Sequence, residues 1–241
     1  MLIQEWMKFP HIEKGYRTGV TNYKHALFSL FSIHNESVNA WTMITSNFIA
    51  CGLFFYTVKY INTDLTPFII FFLASCIHLP FSVGYHLFLP ISEKTRDFWR
   101  KLDITFIFIS GTLFAFAFGY FVFDIHILLF FILIGVCLTC KYISLQTFNR
   151  TQITKLIGLI VLLYLFPMFF KAIRDMDLTA FIYGISVTIL LTISALCYAT
   201  SWPECSYTGT YDIIGNSHNI LHMGIMIAYI LEYMFILHCM P

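Results

Sequence analysis

Seven runs of roughly twenty mostly apolar residues follow one another along the chain, and no water-soluble fold of this length has room to bury them all. They occupy 38–60, 67–89, 102–122, 124–144, 154–172, 178–199 and 217–238. Each is long enough to cross a bilayer as a helix. The breaks between them carry the punctuation: Asn62-Thr63-Asp64, Ser92 to Lys101, Phe123-Asp124, Asn149-Arg150, Arg174 to Asp177, and Trp202 to Gly215. Only 11% of the residues are charged and 59% are hydrophobic, against about 25% charged in an ordinary soluble domain. The period-2 alternation of a membrane barrel is absent. The sequence therefore predicts an all-α, seven-transmembrane helix bundle, with residues 1–37 as an extramembrane N-terminal segment and 38–241 as one membrane domain. That N-terminal segment is too polar for a signal peptide, so the first span should anchor the chain uncleaved.

Orientation is read from the loops, because short cytosolic loops collect Lys and Arg. The N-terminal segment and the loops after the second and fourth spans together hold eleven of the fourteen basic residues. The opposite side holds Lys59, Lys171 and Arg174. The N-terminus is expected in the cytosol and the C-terminus on the exoplasmic or lumenal side. The sequons at Asn35 and Asn149 would then carry no glycan. A formal net charge of +1 argues against a nucleic-acid partner. Seven scattered Cys give no disulfide framework.

Polar groups inside spans are expensive and mark function. The second span ends in Ser82-Val83-Gly84-Tyr85-His86, the third opens with Leu102-Asp103, and the seventh opens with Ser217-His218-Asn219-Ile220-Leu221-His222. Parity of the spans puts all three sets at one depth, in the cytosolic leaflet. His218 and His222 are four apart on a helix and share a face, the spacing with which two imidazoles hold one metal. With His86 they make three neutral nitrogen ligands and one open position, the pattern of a catalytic zinc site. Asp103 could serve as base for a water at that position, and Ser82 could orient the water or a ligand imidazole. Each residue also has an ordinary explanation. An imidazole at the headgroup level is commonly just amphipathic, and an Asp at a helix start can answer the helix dipole. Their convergence at one depth favours the metal.

At these residues the chain resembles the progestin and adipoQ receptor family, related to bacterial haemolysin III proteins. Gly15-Tyr16-Arg17 and the stretch from Leu30 through His34-Asn35-Glu36-Ser37 to Thr42 resemble its first signature. Ser82 to Phe88, Ser92-Glu93-Lys94-Thr95 and Lys101-Leu102-Asp103 resemble the second. Pro203-Glu204, Gly215 and Ser217 to His222 resemble the third. The resemblance implies zinc on His86, His218 and His222, with Asp103 at the zinc water and Ser82 close by. It also implies a core similar to alkaline ceramidases, hence hydrolysis of a lipid amide. Some members are receptors for adiponectin or progestins. The second signature looks most like the Golgi-resident branch, whose role is linked to tethering a kinase. The chain departs from the family pattern at Met43, Thr105-Phe106, Asn219, Leu221 and Glu232, and none of these removes an implied ligand.

Three uses follow as expectations: a signalling receptor for a lipid-like ligand or protein hormone, a zinc-dependent ceramidase-like hydrolase, and a Golgi tether for a cytosolic kinase with zinc purely structural. The membrane would be the Golgi, another endomembrane or the plasma membrane. His34-Asn35-Glu36 is expected to cap the site through loop backbone. Glu232, about 15 Å along the helix from His222, is expected either to line a cavity for a lipid or steroid or, in preference, to lie near the outer headgroups.

Overall fold

A computed structural model describes residues 3–145 and 149–241. Met1 and Leu2 of the N-terminal segment lie outside the described residues. Every regular element among those described is helical. A short helix, α1 (Tyr23–Phe28), precedes seven long ones: α2 (Ser37–Tyr60), α3 (Thr66–Phe88), α4 (Glu93–Gly119), α5 (Ile125–Ile143), α6 (Arg150–Arg174), α7 (Leu178–Thr200) and α8 (Ser217–His238). All seven of the long helices are long and apolar enough to cross a membrane.

Their starts follow ordinary helix chemistry. The Asp124 carboxylate accepts from the backbone N–H groups of His126 and Ile127 at the start of α5. The Asn149 side chain accepts from the N–H of Gln152 at the start of α6. Such side chains satisfy amides that the first helical turn leaves without a partner. All seven Cys are free thiols.

The largest departure from the sequence reading is α4. It was expected to begin near 102, yet it begins at Glu93. Ser92 Oγ accepts from the N–H of Thr95, and Glu93 pairs with Arg96 one turn on. These polar residues read as a loop in the sequence because they are too hydrophilic for lipid. They form instead a capped helical extension beyond the apolar zone. Asp103 consequently sits ten residues into the helix, and the helix dipole, which acts over the first turn only, does not explain it.

The described residues fall into two compact units. The first combines Met1–Asn47, Leu79–Asp103 and Ile189–Ala228. Here α3 and α4 approach closely at Gly84, where an added Cβ would lie 2.3 Å from the Trp99 ring. Any larger residue at this position, between Ser82 and His86, would have to displace the Trp99 ring. Arg17 ties the N-terminal segment to the end of α3 by donating to the carbonyls of His86 and Leu87 at 2.6 and 2.9 Å. Asp212 holds the same segment at another point, accepting from the N–H groups of Glu13 and Lys14.

The second unit combines Phe48–His78, Ile104–Thr188 and Tyr229–Pro241. Its centre is aromatic. Phe71, Phe114, Phe118, Tyr164, Tyr229 and Tyr233 are buried and in ring contact. A second cluster packs Phe108 on Tyr142 with Ile104, Ile153 and Ile160.

Candidate metal centre

Three imidazoles converge in the first unit. Their candidate ligand nitrogens all lie within 4.8 Å of one another. The ring centroids of His86 are 5.0 Å from those of both His218 and His222, which are themselves 4.9 Å apart. Helix periodicity supplies one half of this arrangement, since His218 and His222 stand one turn apart at the start of α8. The end of α3 supplies the other half with His86. His86 and His222 are buried and His218 is half-buried.

The residues fit a metal. His86 Nε2 and His222 Nε2 face each other at 3.2 Å. Two nitrogens that close either share a proton or share a cation. With metal–nitrogen bonds of about 2.05 Å, that separation subtends about 100° at the ion, near the tetrahedral value. The tautomer of His86 is fixed from behind. A carboxylate can only accept, so His86 Nδ1–H donates to Glu36 Oε2, at 2.5 Å, and Nε2 is left with its lone pair facing the other imidazoles. A carboxylate behind a histidine in this way is the common support of a metal ligand.

Glu36 is itself held. The Asn39 amide donates to its Oε2 at 3.0 Å, and the Asn219 amide donates to Asn39 Oδ1 at 2.7 Å. Asn219 lies between His218 and His222, so this chain of hydrogen bonds joins the support of His86 to the helix carrying His218 and His222. The Asn219 side chain also accepts from the N–H of Gly215 just ahead of α8. Glu204 fixes that helix start as well, accepting from the N–H and hydroxyl of Ser217. Burial pushes the Glu36 carboxyl up, but the hydrogen bonds from His86 and the Asn39 amide help to hold it down at about 2. Glu36 is thus an anion where it stands. Burial, with the charge of Arg17, holds His34 down at about 4, so it is neutral; its Nδ1 accepts from the N–H of Glu36 at 3.1 Å.

Ser82 is buried one turn before His86 on α3. Asp103 on α4 is half-buried, and its charge acts on His218 and on Tyr85. Tyr198 of α7 stacks obliquely against His218 with centroids 5.1 Å apart.

Sequence reasoning missed the role of Glu36. It expected His34-Asn35-Glu36 to cap loop backbone, and the carboxylate reaches the His86 imidazole instead. The signal was the acidic residue itself, placed directly before a span, where an unpaired charge would be costly. Replacing it, as Glu36→Gln, is expected to weaken metal binding about 10- to 100-fold, the usual loss for such a support. Chelator competition on the purified protein measures this, and wild-type affinity in the variant would remove Glu36 from the centre.

A sequence model described as haemolysin-III related matches residues 31–233, most of the chain. The chain belongs to the haemolysin-III-related family. Among curated members it is 23% identical to human membrane progestin receptor beta over 94% of its own length and 71% of that protein's. It is 24% identical to the adiponectin receptor protein of Drosophila melanogaster, covering 92% of this chain and 54% of the relative. It is also 24% identical to the ADIPOR-like receptor IZH2 of Saccharomyces cerevisiae, over 94% and 78% respectively. These relatives support the resemblance to the progestin and adipoQ receptor family, and the chain is an integral multi-pass membrane protein.

Proposed function

We propose that this chain is a receptor-type membrane protein that holds zinc on His86, His218 and His222, and that the site hydrolyses a lipid amide of the ceramide class. The observation that carries the reading is the convergence of three imidazoles from two membrane helices, with Glu36 fixing the tautomer of one. Three nitrogen donors leave a fourth tetrahedral position for a water or a substrate oxygen. The loop charges support a cytosolic position for this end of the protein.

Zinc bound there supplies a Lewis acid and brings a water into reach of deprotonation near neutral pH. The residues of the chain do the rest. Asp103 takes the proton of the attacking water and returns it to the leaving amine, as one positioned carboxylate can in both directions. Ser82, buried on the His86 face, orients the water or the amide. Glu36 fixes the tautomer that leaves the His86 Nε2 lone pair facing the other imidazoles. The products are a fatty acid and a long-chain amine, and the receptor names of the relatives fit a lipid product passed on as a signal.

The test is metal analysis of the purified protein together with fatty-acid release from a panel of ceramides. The expected result is one zinc per chain and release that stops on chelation. Zinc without any release across the panel would sink the hydrolase and leave the receptor. The tether reading, with zinc purely structural and a cytosolic kinase as partner, is favoured by one feature: the hydrogen-bonded chain Glu36–Asn39–Asn219 that links α2 to α8. It requires kinase recruitment to be insensitive to Asp103→Asn and lost in His86→Ala.

A further inference from the structure

Glu232 belongs to none of this chemistry. It lies on α8 ten residues beyond His222, about 15 Å along the axis, and it belongs to the second unit. It is 2% exposed, so its side chain is packed inside the protein. Its Oε2 has no hydrogen-bond partner among the described residues. Its electrostatic neighbours are two phenols, Tyr164 of α6 and Tyr229 one turn before it. Those phenols stand in the aromatic cluster. Tyr164 lies 6.0 Å from Phe118 and 6.1 Å from Phe114, and Tyr229 lies 5.5 Å from Phe114 and 6.0 Å from Phe71, between centroids.

The chemistry of this setting is one-sided. An ionised carboxylate buried in a membrane protein needs a counter-charge. Aromatic faces are negative, so they oppose an anion and attract a cation. A carboxyl whose neighbours are the phenols of an aromatic cluster is therefore poor at holding its own charge and well suited to share it with an ammonium group. A neutral hydroxyl would satisfy the open oxygen but gain nothing from the rings.

We propose that Glu232 is the anchor of a second ligand site, for a long-chain primary amine that arrives from the lipid phase. The amine enters uncharged and Glu232 meets it as the neutral acid. The O–H bond of the carboxyl breaks, an N–H bond forms, and an ammonium carboxylate pair remains, so no net charge enters the membrane. The ammonium donates to Oε2 and lies against the rings of the cluster. The site requires no metal.

Full-length protein in nanodiscs, treated with chelator and read by native mass spectrometry, tests this with oleylamine and oleyl alcohol as probes. The wild type is expected to carry one oleylamine and to bind oleyl alcohol at least about tenfold more weakly. Glu232→Gln is expected to lose oleylamine affinity about 30-fold or more, the effect of truncating one partner of a buried charge pair. Tyr164→Phe, which keeps the ring and removes one oxygen, should cost only a few-fold and serves if Glu232→Gln does not fold. Equal binding of the alcohol, no oleylamine on the wild type at saturation, or undiminished oleylamine binding by folded Glu232→Gln would each overturn the site.

Discussion

Purified His218→Ala is expected to contain no stoichiometric zinc after dialysis, while the wild type keeps one per chain. A zinc site built from protein donors binds with about 10–16 kcal/mol of apparent free energy. Removing one of three donors forfeits roughly a third of that, some 3–5 kcal/mol, or about 150- to 4,000-fold in affinity. The loss is larger than for Glu36→Gln because a direct ligand disappears, whereas Gln at 36 still offers an acceptor to His86 Nδ1. Stability should follow, since an ion bound only by the folded state stabilises it by mass action. Chelation should lower the melting temperature of the wild type and leave that of His218→Ala unmoved. His218 is the informative ligand because it is half-buried. Truncation there leaves a smaller hole than at His86, which is buried and bonded to Glu36. A zinc content unchanged in His218→Ala would show that the imidazole cluster is not what holds the metal.

What could be read from the sequence, and what could not, divides along physical lines. The seven helices were legible because a bilayer demands about twenty apolar residues at a stretch. The His218–His222 pair was legible because helical spacing is local. The shared depth of His86 and that pair needed only the parity of the spans. Contacts between distant segments were not legible. Glu36 meets His86 from fifty positions away, and before folding it is simply a polar residue in a motif. The polar start of α4 was misread because hydropathy marks the edge of the lipid, not the end of a helix. Its capping Ser92 was available as a signal and was outweighed by charge. The burial of Glu232 was not legible for a related reason. In a helix that is apolar nearly all round, the sequence does not tell which face turns inward, and an acid late in a span reads as interfacial by default.

Asp103→Asn is expected to lower fatty-acid release by about 10²- to 10⁴-fold, the range of a positioned general base, while zinc content stays at the wild-type level. The two readouts separate because Asp103 is not among the three ligands. It lies ten residues into α4, half-buried, with its charge acting on His218. Asparagine preserves its size and its capacity to hydrogen-bond, and removes only the ability to take a proton. A helix-dipole role, excluded by position, would have predicted a small stability loss of at most about 1 kcal/mol and no change in turnover. A structural role beside His218 would instead reduce zinc and turnover together. Only a proton acceptor gives loss of turnover with zinc retained, and the residual rate should lose the acid limb of its pH profile, since that limb reports ionisation of the base. Release that survives at the wild-type rate in zinc-replete Asp103→Asn would assign the proton to another group, with Tyr198 against His218 the next to be replaced.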